Sequence, residues 1–517
     1  MKKSMRRNIL LITLVFTLIF SMSLAGCNNG KIPENTDPVS GGKLILQLDE
    51  FYYDPLSLKG YELPIYDLNP ILYRGLLKYD ENLKIVNDLA GELTANLEKN
   101  QLKLKLKEGV KWEDDSPITY ADVQYSFEQY SKTSYNGVWK NYTFNLTGTD
   151  KFRTKAAEHI SGITFDEETG VITFNFDQLT INDLEFLTAP LISHKSGTAS
   201  TQLANGPYRI AELTENGIEL VRNENFGKDV FLDSISITTT AGKVDADVFY
   251  GTPADIVSEE LKGRTAFAVD GSSYFYLGFN LNSVKLQDKG IREAIASAVN
   301  LDELLKNQLS GYAERPTSPI YKESWLYQTS YKLLTAKEAK SKLSGVELSL
   351  ELAYPDLPIY KLIADKIATD LTANGVTIVP TAVPYETYIQ ELYSKGEYEL
   401  FIAVQSYELN PAKENYKWLA KNDVLNNGYN AIHLKDAKSD QLLNEAYLII
   451  NSEQRKAKYQ EWQEYFGQNF YIAPLVTLDT LLISKTEYQI KINSSLTPYY
   501  QIENWWYKAK TGNSKKK

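Results

Sequence analysis

Cys27 is the one thiol in a chain of 517 residues, and it stands directly behind Leu24-Ala25-Gly26. A thiol can attack an electrophile, bind a metal, pair in a disulfide or be alkylated. The absence of a second cysteine excludes an internal disulfide. The three histidines, His159, His194 and His433, lie outside metal-ligand spacing of one another and of Cys27, so each reads as a surface or capping residue. Glu113-Asp114-Asp115 could offer oxygen ligands to calcium, but the run lacks the spaced donors and glycine of an EF-hand loop and reads as a solvated turn. No G-x-S-x-G elbow, P-loop, G-x-G-x-x-G or H-E-x-x-H occurs. The chemistry-bearing residues therefore predict no catalytic group, no metal site and no cofactor. What remains is aromatic: 36 tyrosines, 19 phenylalanines and seven tryptophans. A tyrosine buries a ring and keeps a hydroxyl for a ligand, which suits a cleft that holds a polar molecule without reacting with it.

The elements around Cys27 say where such a cleft would be placed. Lys2, Lys3, Arg6 and Arg7 precede ILLITLVFTLIFSMSLAG, a secretory signal pattern too short and poorly flanked for a spanning helix. Leu24-Ala25-Gly26-Cys27 resembles the bacterial lipobox, whose cysteine is alkylated with diacylglycerol and becomes the first mature residue. On that reading residues 1–26 are a lipoprotein signal peptide, Cys27 is the lipidation site, and 27–40, rich in Asn, Pro and Gly, tether a folded body to the outer face of the cytoplasmic membrane. Cleavage removes four cations and no acid, taking the formal charge from −11 to −15, and Met1, Met5 and Met22 leave as well. The acidic balance, 55 Lys plus Arg against 66 Asp plus Glu, excludes nucleic acid as the main partner.

The body alternates strands and helices. KLILQL (43–48) reads as a buried first strand, followed by a tyrosine- and proline-rich loop with one helical turn. A short apolar helix is expected through Leu72 and Leu77, with a turn at Asp80-Glu81-Asn82. QLKLKLK alternates strictly and predicts a strand with one lysine-rich wet face. GITFDEETGVITFNF and GPYRIAELTENGIELVRNENF read as hairpins. KGIREAIASAVNLDELLKNQL reads as one amphipathic helix presenting Ile291, Ile295, Val299 and Leu304. From about residue 343 alternating βα units suggest a mostly parallel sheet carrying helices.

The order of these segments resembles the family 5 extracellular solute-binding proteins, the peptide and nickel receptors of ABC importers. LYRGLLKYDENLKIVNDLAGEL and LKLKEGVKWEDDSPITYADVQYSFE follow the family's N-terminal pattern in order and spacing. GPYRI, YLGFNLN, IREAIASAVN and SDQLLNEAY match later motifs, so the resemblance spans about 41–510. It implies an α/β, two-lobed periplasmic-binding-protein-like fold with mixed sheets, an extra satellite domain and a ligand cleft between the lobes. Lobe I would comprise 41–52, 200–268 and 478–510, the satellite 53–199 and lobe II 269–477, with hinges near 270 and 478 and a basic tail at 511–517.

The resemblance implies an extracytoplasmic, monomeric substrate-binding subunit that captures a peptide and passes it to a membrane permease. The same fold could hold an oligosaccharide, a nickel chelate or haem, and a surface-anchored hydrolase or adhesin is the alternative of another class. Two departures stand out. Asp115 occupies the usual glycine position of the family's Asp-Gly-x-Pro turn. In AVQSYELNP, Tyr407 takes the place of the aspartate that pairs with a peptide's α-ammonium, and Glu408 falls one residue late, on the opposite strand face. Gln405, Ser406, Tyr407 and Glu408 are the expected ligand contacts from lobe II, and Tyr52 and Tyr53 those from lobe I.

Overall fold

The computed structural model describes residues 38–54, 56, 64–196, 202–411 and 415–508. The chain divides into two compact units, Met1–Val39 and Ser40–Lys517. Only Pro38 and Val39 of the first are described, both exposed. The signal peptide, Cys27, most of the tether and the basic tail lie outside the described residues. Among the described residues no helix is long and apolar enough to cross a membrane.

Two large mixed sheets organise the second unit. The seven-stranded sheet runs in the order Thr265–Val269, Thr480–Ser484, Val248–Gly251, Lys43–Gln47, Ser234–Thr238, Gly217–Arg222, Tyr208–Thr214. Lys43–Gln47 sits at its centre, paired parallel with Ser234–Thr238 on one side and Val248–Gly251 on the other, and buries Leu44 and Leu46 on one face. The six-stranded sheet runs Ala313–Glu314, Ile472–Leu478, Ser273–Phe279, Leu400–Ser406, Leu348–Pro355, Val376–Val383. The chain passes from the first sheet to the second at Asp270–Ser272 and returns at Asp479.

A four-stranded antiparallel sheet, Ala90–Asn96, Gln101–Leu106, Val171–Asn175 and Ile163–Asp166, stands apart from both. Its second strand buries Leu102 and Leu104 and leaves Lys103 and Lys105 wet, as the alternation predicts. Its hairpin turns at Gly170, with φ 68°. One apolar core runs continuously from this sheet's side chains into the six-stranded sheet, while Leu44, Leu46, Ile235 and Ile237 anchor a separate core on the seven-stranded sheet.

Three expectations need correction. The sheet after residue 343 is not mostly parallel: Leu348–Pro355 pairs parallel with both neighbours, but Ser273–Phe279 pairs antiparallel with Leu400–Ser406 and Ile472–Leu478. The periodicity saw the βα units and missed that the passage at Asp270–Ser272 inserts Ser273–Phe279, which runs against the strands on both its sides. The helix expected through Leu77 stops at Leu72. Leu77–Tyr79 is instead a strand paired with Ile85–Asn87. Gly75 packs so tightly on the backbone of Thr188 and Ala189 that a Cβ would meet the Thr188 carbonyl oxygen at 2.5 Å, and no helix can pass there. The helix at Lys289–Ala298 also ends early, because Val299 turns extended, its carbonyl taken by Arg315, and Leu304–Gln308 forms a separate helical turn.

Several motif residues prove to be structural. Asp122, from the matched TYADV segment, accepts from Thr119 N at 2.8 Å and caps the helix Tyr120–Ser131, and its other oxygen accepts from His194 Nδ1 at 2.7 Å. His159 pairs with Glu128 at 3.0 Å and the buried His433 with Asp423 at 3.0 Å. Asp115 adopts φ 67°, so aspartate supplies the left-handed turn for which the family uses glycine.

Candidate functional site

A cavity of about 210 Å³ opens between the seven-stranded sheet's flank and the segment carrying the four-stranded sheet. Tyr52 lines it: an extended bridge to Asp67, with Tyr52 N donating to Tyr66 O at 3.0 Å, fixes it just beyond the first strand. Tyr53 is not among the lining residues and packs half-buried on the core of the seven-stranded sheet, which also holds Tyr73. The remaining walls are aromatic and charged, with Tyr73, Tyr135, Trp139 and Tyr500 beside Asp54, Arg74, Asp88 and Glu503. Arg74 grips the buried Asp88 as a fork, Nε at 3.2 and 3.1 Å and Nη2 at 2.7 Å from the carboxylate, and its guanidinium lies 5.2 Å from the Phe226 ring centre. Such a bidentate pair is a fixed dipole in the wall rather than a mobile charge. Burial raises the Tyr73 hydroxyl and the Asp54 and Glu503 carboxyls above their ordinary ranges. The cavity is thus a partly dry, amphipathic surface with no nucleophile set against a base.

The residues expected from lobe II are placed elsewhere. Gln405 and Ser406 end the strand Leu400–Ser406; Gln405 is buried and donates to Ser406 O at 3.1 Å, and Ser406 is exposed. Tyr407 is buried, with its ring 4.9 Å from Tyr274 and 5.1 Å from Tyr321 between centroids and its N–H donating to Ser272 O at 2.8 Å. It lines a smaller pocket of about 110 Å³ at the passage between the sheets, with Asp270, Glu314 and Lys322. Glu408 is half-buried and turns toward Tyr142, whose hydroxyl is raised by burial first and then by Glu185 and Glu408. Two residues on, Asn410 donates to Glu185 Oε2 at 2.7 Å and Asn182 Oδ1 at 2.8 Å, tying this loop to the segment below the four-stranded sheet. An aspartate at 410 would bring two carboxylates together in a buried place, and the neutral amide avoids that.

Sequence reasoning missed Tyr73, Arg74, Asp88, Trp139 and Tyr500. The signal was present, since Tyr73-Arg74-Gly75 and Asp88 lie inside the segments that matched the family pattern.

The passage between sheets carries its own charge cluster. Lys322 Nζ lies 2.9 Å from Glu314 and 3.1 Å from Asp270, and the Asp479 N–H donates to Tyr312 O at 3.0 Å. Burial, then Asp270 and Glu314, pushes the Asp479 carboxyl up to about 6, with Lys322 opposing. A folded-state value above the unfolded one, near 3.9, means the native state holds the proton more tightly. Stability is therefore expected to fall as pH rises from about 4 to about 6 through this group. In urea titrations across that range, Asp479→Asn should flatten the decline and be more stable than wild type above pH 6.

The comparisons bear on the whole chain. The oligopeptide-binding protein OppA of Lactococcus lactis subsp. lactis is 25% identical over 297 residues, a stretch covering 48% of this chain and half of that relative's length. Among solved structures, the unliganded open form of MppA, a periplasmic murein tripeptide binding protein, superposes with a TM-score of 0.78 at 16% identity, covering 92% of this chain and 99% of that one. NikZ from Campylobacter jejuni, in complex with Ni(L-His), gives a TM-score of 0.62 at 18% identity over 90% and 99% of the two chains. These likenesses establish the two-lobed binding-protein fold. The profile of the bacterial extracellular solute-binding proteins, family 5 Middle, matches residues 84–427, from the strand beside Arg74 to the loops beyond Tyr407, and the chain belongs to that family.

Proposed function

We propose that this protein is the extracytoplasmic substrate-binding subunit of an ABC importer, which captures a peptide and delivers it to its permease by closing its lobes. The observation that carries the reading is the cavity at Tyr52, Tyr73 and Trp139, where aromatic surface and fixed charges stand together with no catalytic pairing. That combination suits a ligand with an apolar side chain and a polar backbone. At about 210 Å³ the cavity is smaller than the ~300–1,000 Å³ of a complete small-molecule site, so it would take one end of a longer solute and leave the rest to lobe II. We place the lobe boundaries at about 268 and 478, next to the two passages between sheets, and rotation about these passages is the proposed closure. Binding without chemistry also accords with the histidines, each engaged by a carboxylate. Acylation at Cys27 would hold a monomeric body at the outer membrane face by lipid, not by a spanning helix.

A ring at Tyr407 would have favoured a sugar or another planar ligand, but that ring is buried between Tyr274 and Tyr321. Titration calorimetry with tetra-alanine, maltotetraose and nickel–histidine separates the ligand classes. Saturable one-site binding of the peptide is expected. A peptide at a hundred times its Kd should stabilise the fold by about 2.7 kcal/mol, read as a rise in thermal midpoint. Binding of the sugar or the chelate with none of the peptide would overturn the proposal.

A further inference from the structure

The family's ammonium-binding aspartate is replaced here by Tyr407, a neutral side chain that packs on Tyr274 and Tyr321 and borders the smaller pocket at the passage between sheets, so a peptide's cationic nitrogen meets no carboxylate from that position. The charges around the large cavity are not equivalent. Arg74 is committed to Asp88 through three short contacts. Glu503 has Lys78 and Lys228 nearby to offset its charge. Asp54 differs: its Oδ1 accepts from Leu56 N at 2.8 Å, and among the described residues no lysine or arginine pairs with it. Burial raises its carboxyl, and its field is felt behind burial at the Tyr73 and Tyr135 hydroxyls, so the charge is directed into the aromatic side of the cavity. A half-desolvated carboxylate beside tyrosine and tryptophan rings stabilises a cation twice, by Coulomb attraction in a partly dry space and by the ring faces.

We infer that Asp54 is the counter-charge for a cationic nitrogen of the captured solute, either an α-ammonium or a basic side chain, in place of the family's second-lobe aspartate. The inference rests on the reading that this cavity holds a peptide. A bound ammonium would restore the solvation that Asp54 loses on folding, and the backbone bond from Leu56 holds the carboxylate in position before the ligand arrives.

Calorimetry on the wild type and Asp54→Asn with three peptides tests it: Ala-Ala-Ala-Ala, its N-acetylated form, and N-acetyl-Ala-Lys-Ala-Ala. Asparagine keeps the acceptor for Leu56, so the turn should survive, and equal thermal midpoints of the unliganded proteins verify that. The wild type should prefer at least one cationic peptide over the acetylated neutral one by about tenfold to a hundredfold, the range of a charge-assisted bond. Asp54→Asn should abolish that preference, costing the cationic peptide about tenfold to a hundredfold more affinity than the neutral one. A preference for the free amine identifies the α-ammonium as the partner, and recovery by lysine identifies the side chain. Equal binding of all three peptides by the wild type, or an equal loss for all three in Asp54→Asn, would overturn the inference while leaving peptide capture standing. Failure of every peptide to bind the wild type would overturn peptide capture and this inference with it.

Discussion

Arg292→Ala is expected to lower the unfolding free energy by about 3–5 kcal/mol, among the larger effects of a single substitution. Arg292 comes from the matched IREAIASAVN segment, is 4% exposed, and among the described residues forms no ion pair with a carboxylate. Its guanidinium donates instead to four backbone carbonyls: Leu286 and Gln287 at 2.8 Å each, Asn469 at 2.7 Å and Phe470 at 3.0 Å. Asn469 and Phe470 follow the end of the helix Ser452–Gln468, where unpaired carbonyls and the negative end of the helix dipole favour a cation. One side chain thus joins two helices and the chain segment before Lys289, and its ring contact with Tyr471, 5.7 Å from guanidinium carbon to centroid, completes the enclosure. Removing it leaves four carbonyls short of a donor in a place water reaches poorly. Arg292→Lys should recover only a small part, because a compact ammonium cannot span the fork. Urea unfolding reads both, and a loss below about 1 kcal/mol for the alanine variant would contradict this role.

The second large effect is expected at Gly271, between Asp270 and Ser272 on the passage from the seven-stranded to the six-stranded sheet. A Cβ there would overlap the carbonyl oxygen of Leu478, the residue just before the return passage. The two passages therefore meet backbone to backbone at this point, and only glycine permits the contact. Gly271→Ala should cost about 3 kcal/mol from overpacking. Gly271→Val should do more, forcing the two passages apart and shifting Tyr407 and Tyr321, which are bonded to Ser272 O and Asp270 O. Its effect on peptide affinity should exceed what lost stability explains, since the proposed closure turns on these two crossings. A Gly271→Val protein with wild-type melting and wild-type affinity would remove the passages from the account.

The legibility of the fold in the sequence followed local physics. Leu102 and Leu104 alternating with lysines, Gly170 at a turn, and the repeated Leu and Ile of 43–48 each encode their own strand, and the structure has them there. The helix stop after Leu72 and the break at Val299 were not legible. Both are imposed by partners distant in sequence, Thr188 and Ala189 on Gly75 in one case and Arg315 on the Val299 carbonyl in the other. Strand sense in the six-stranded sheet was hidden for the same reason: Ser273–Phe279 and Ile472–Leu478 are neighbours only because the chain crosses twice between sheets.

The site was legible in part. Tyr52 lies in the wall of the large cavity. The gapless alignment at Tyr407 identified an unusual position, but composition gave no means of telling a ligand-facing ring from one packed at a tilt against Tyr274 and Tyr321. Arg74 and Asp88 were read as marks of kinship, and only the fold brings them together, at 2.7 Å, in the wall of the candidate cavity.

Closure on a peptide is the claim on which the rest depends, and small-angle X-ray scattering of the protein with and without saturating tetra-alanine measures it directly. The account predicts a smaller radius of gyration in the peptide-bound state, from two rigid lobes rotating about Asp270–Ser272 and Asp479. Saturable peptide binding with an unchanged radius of gyration would contradict it.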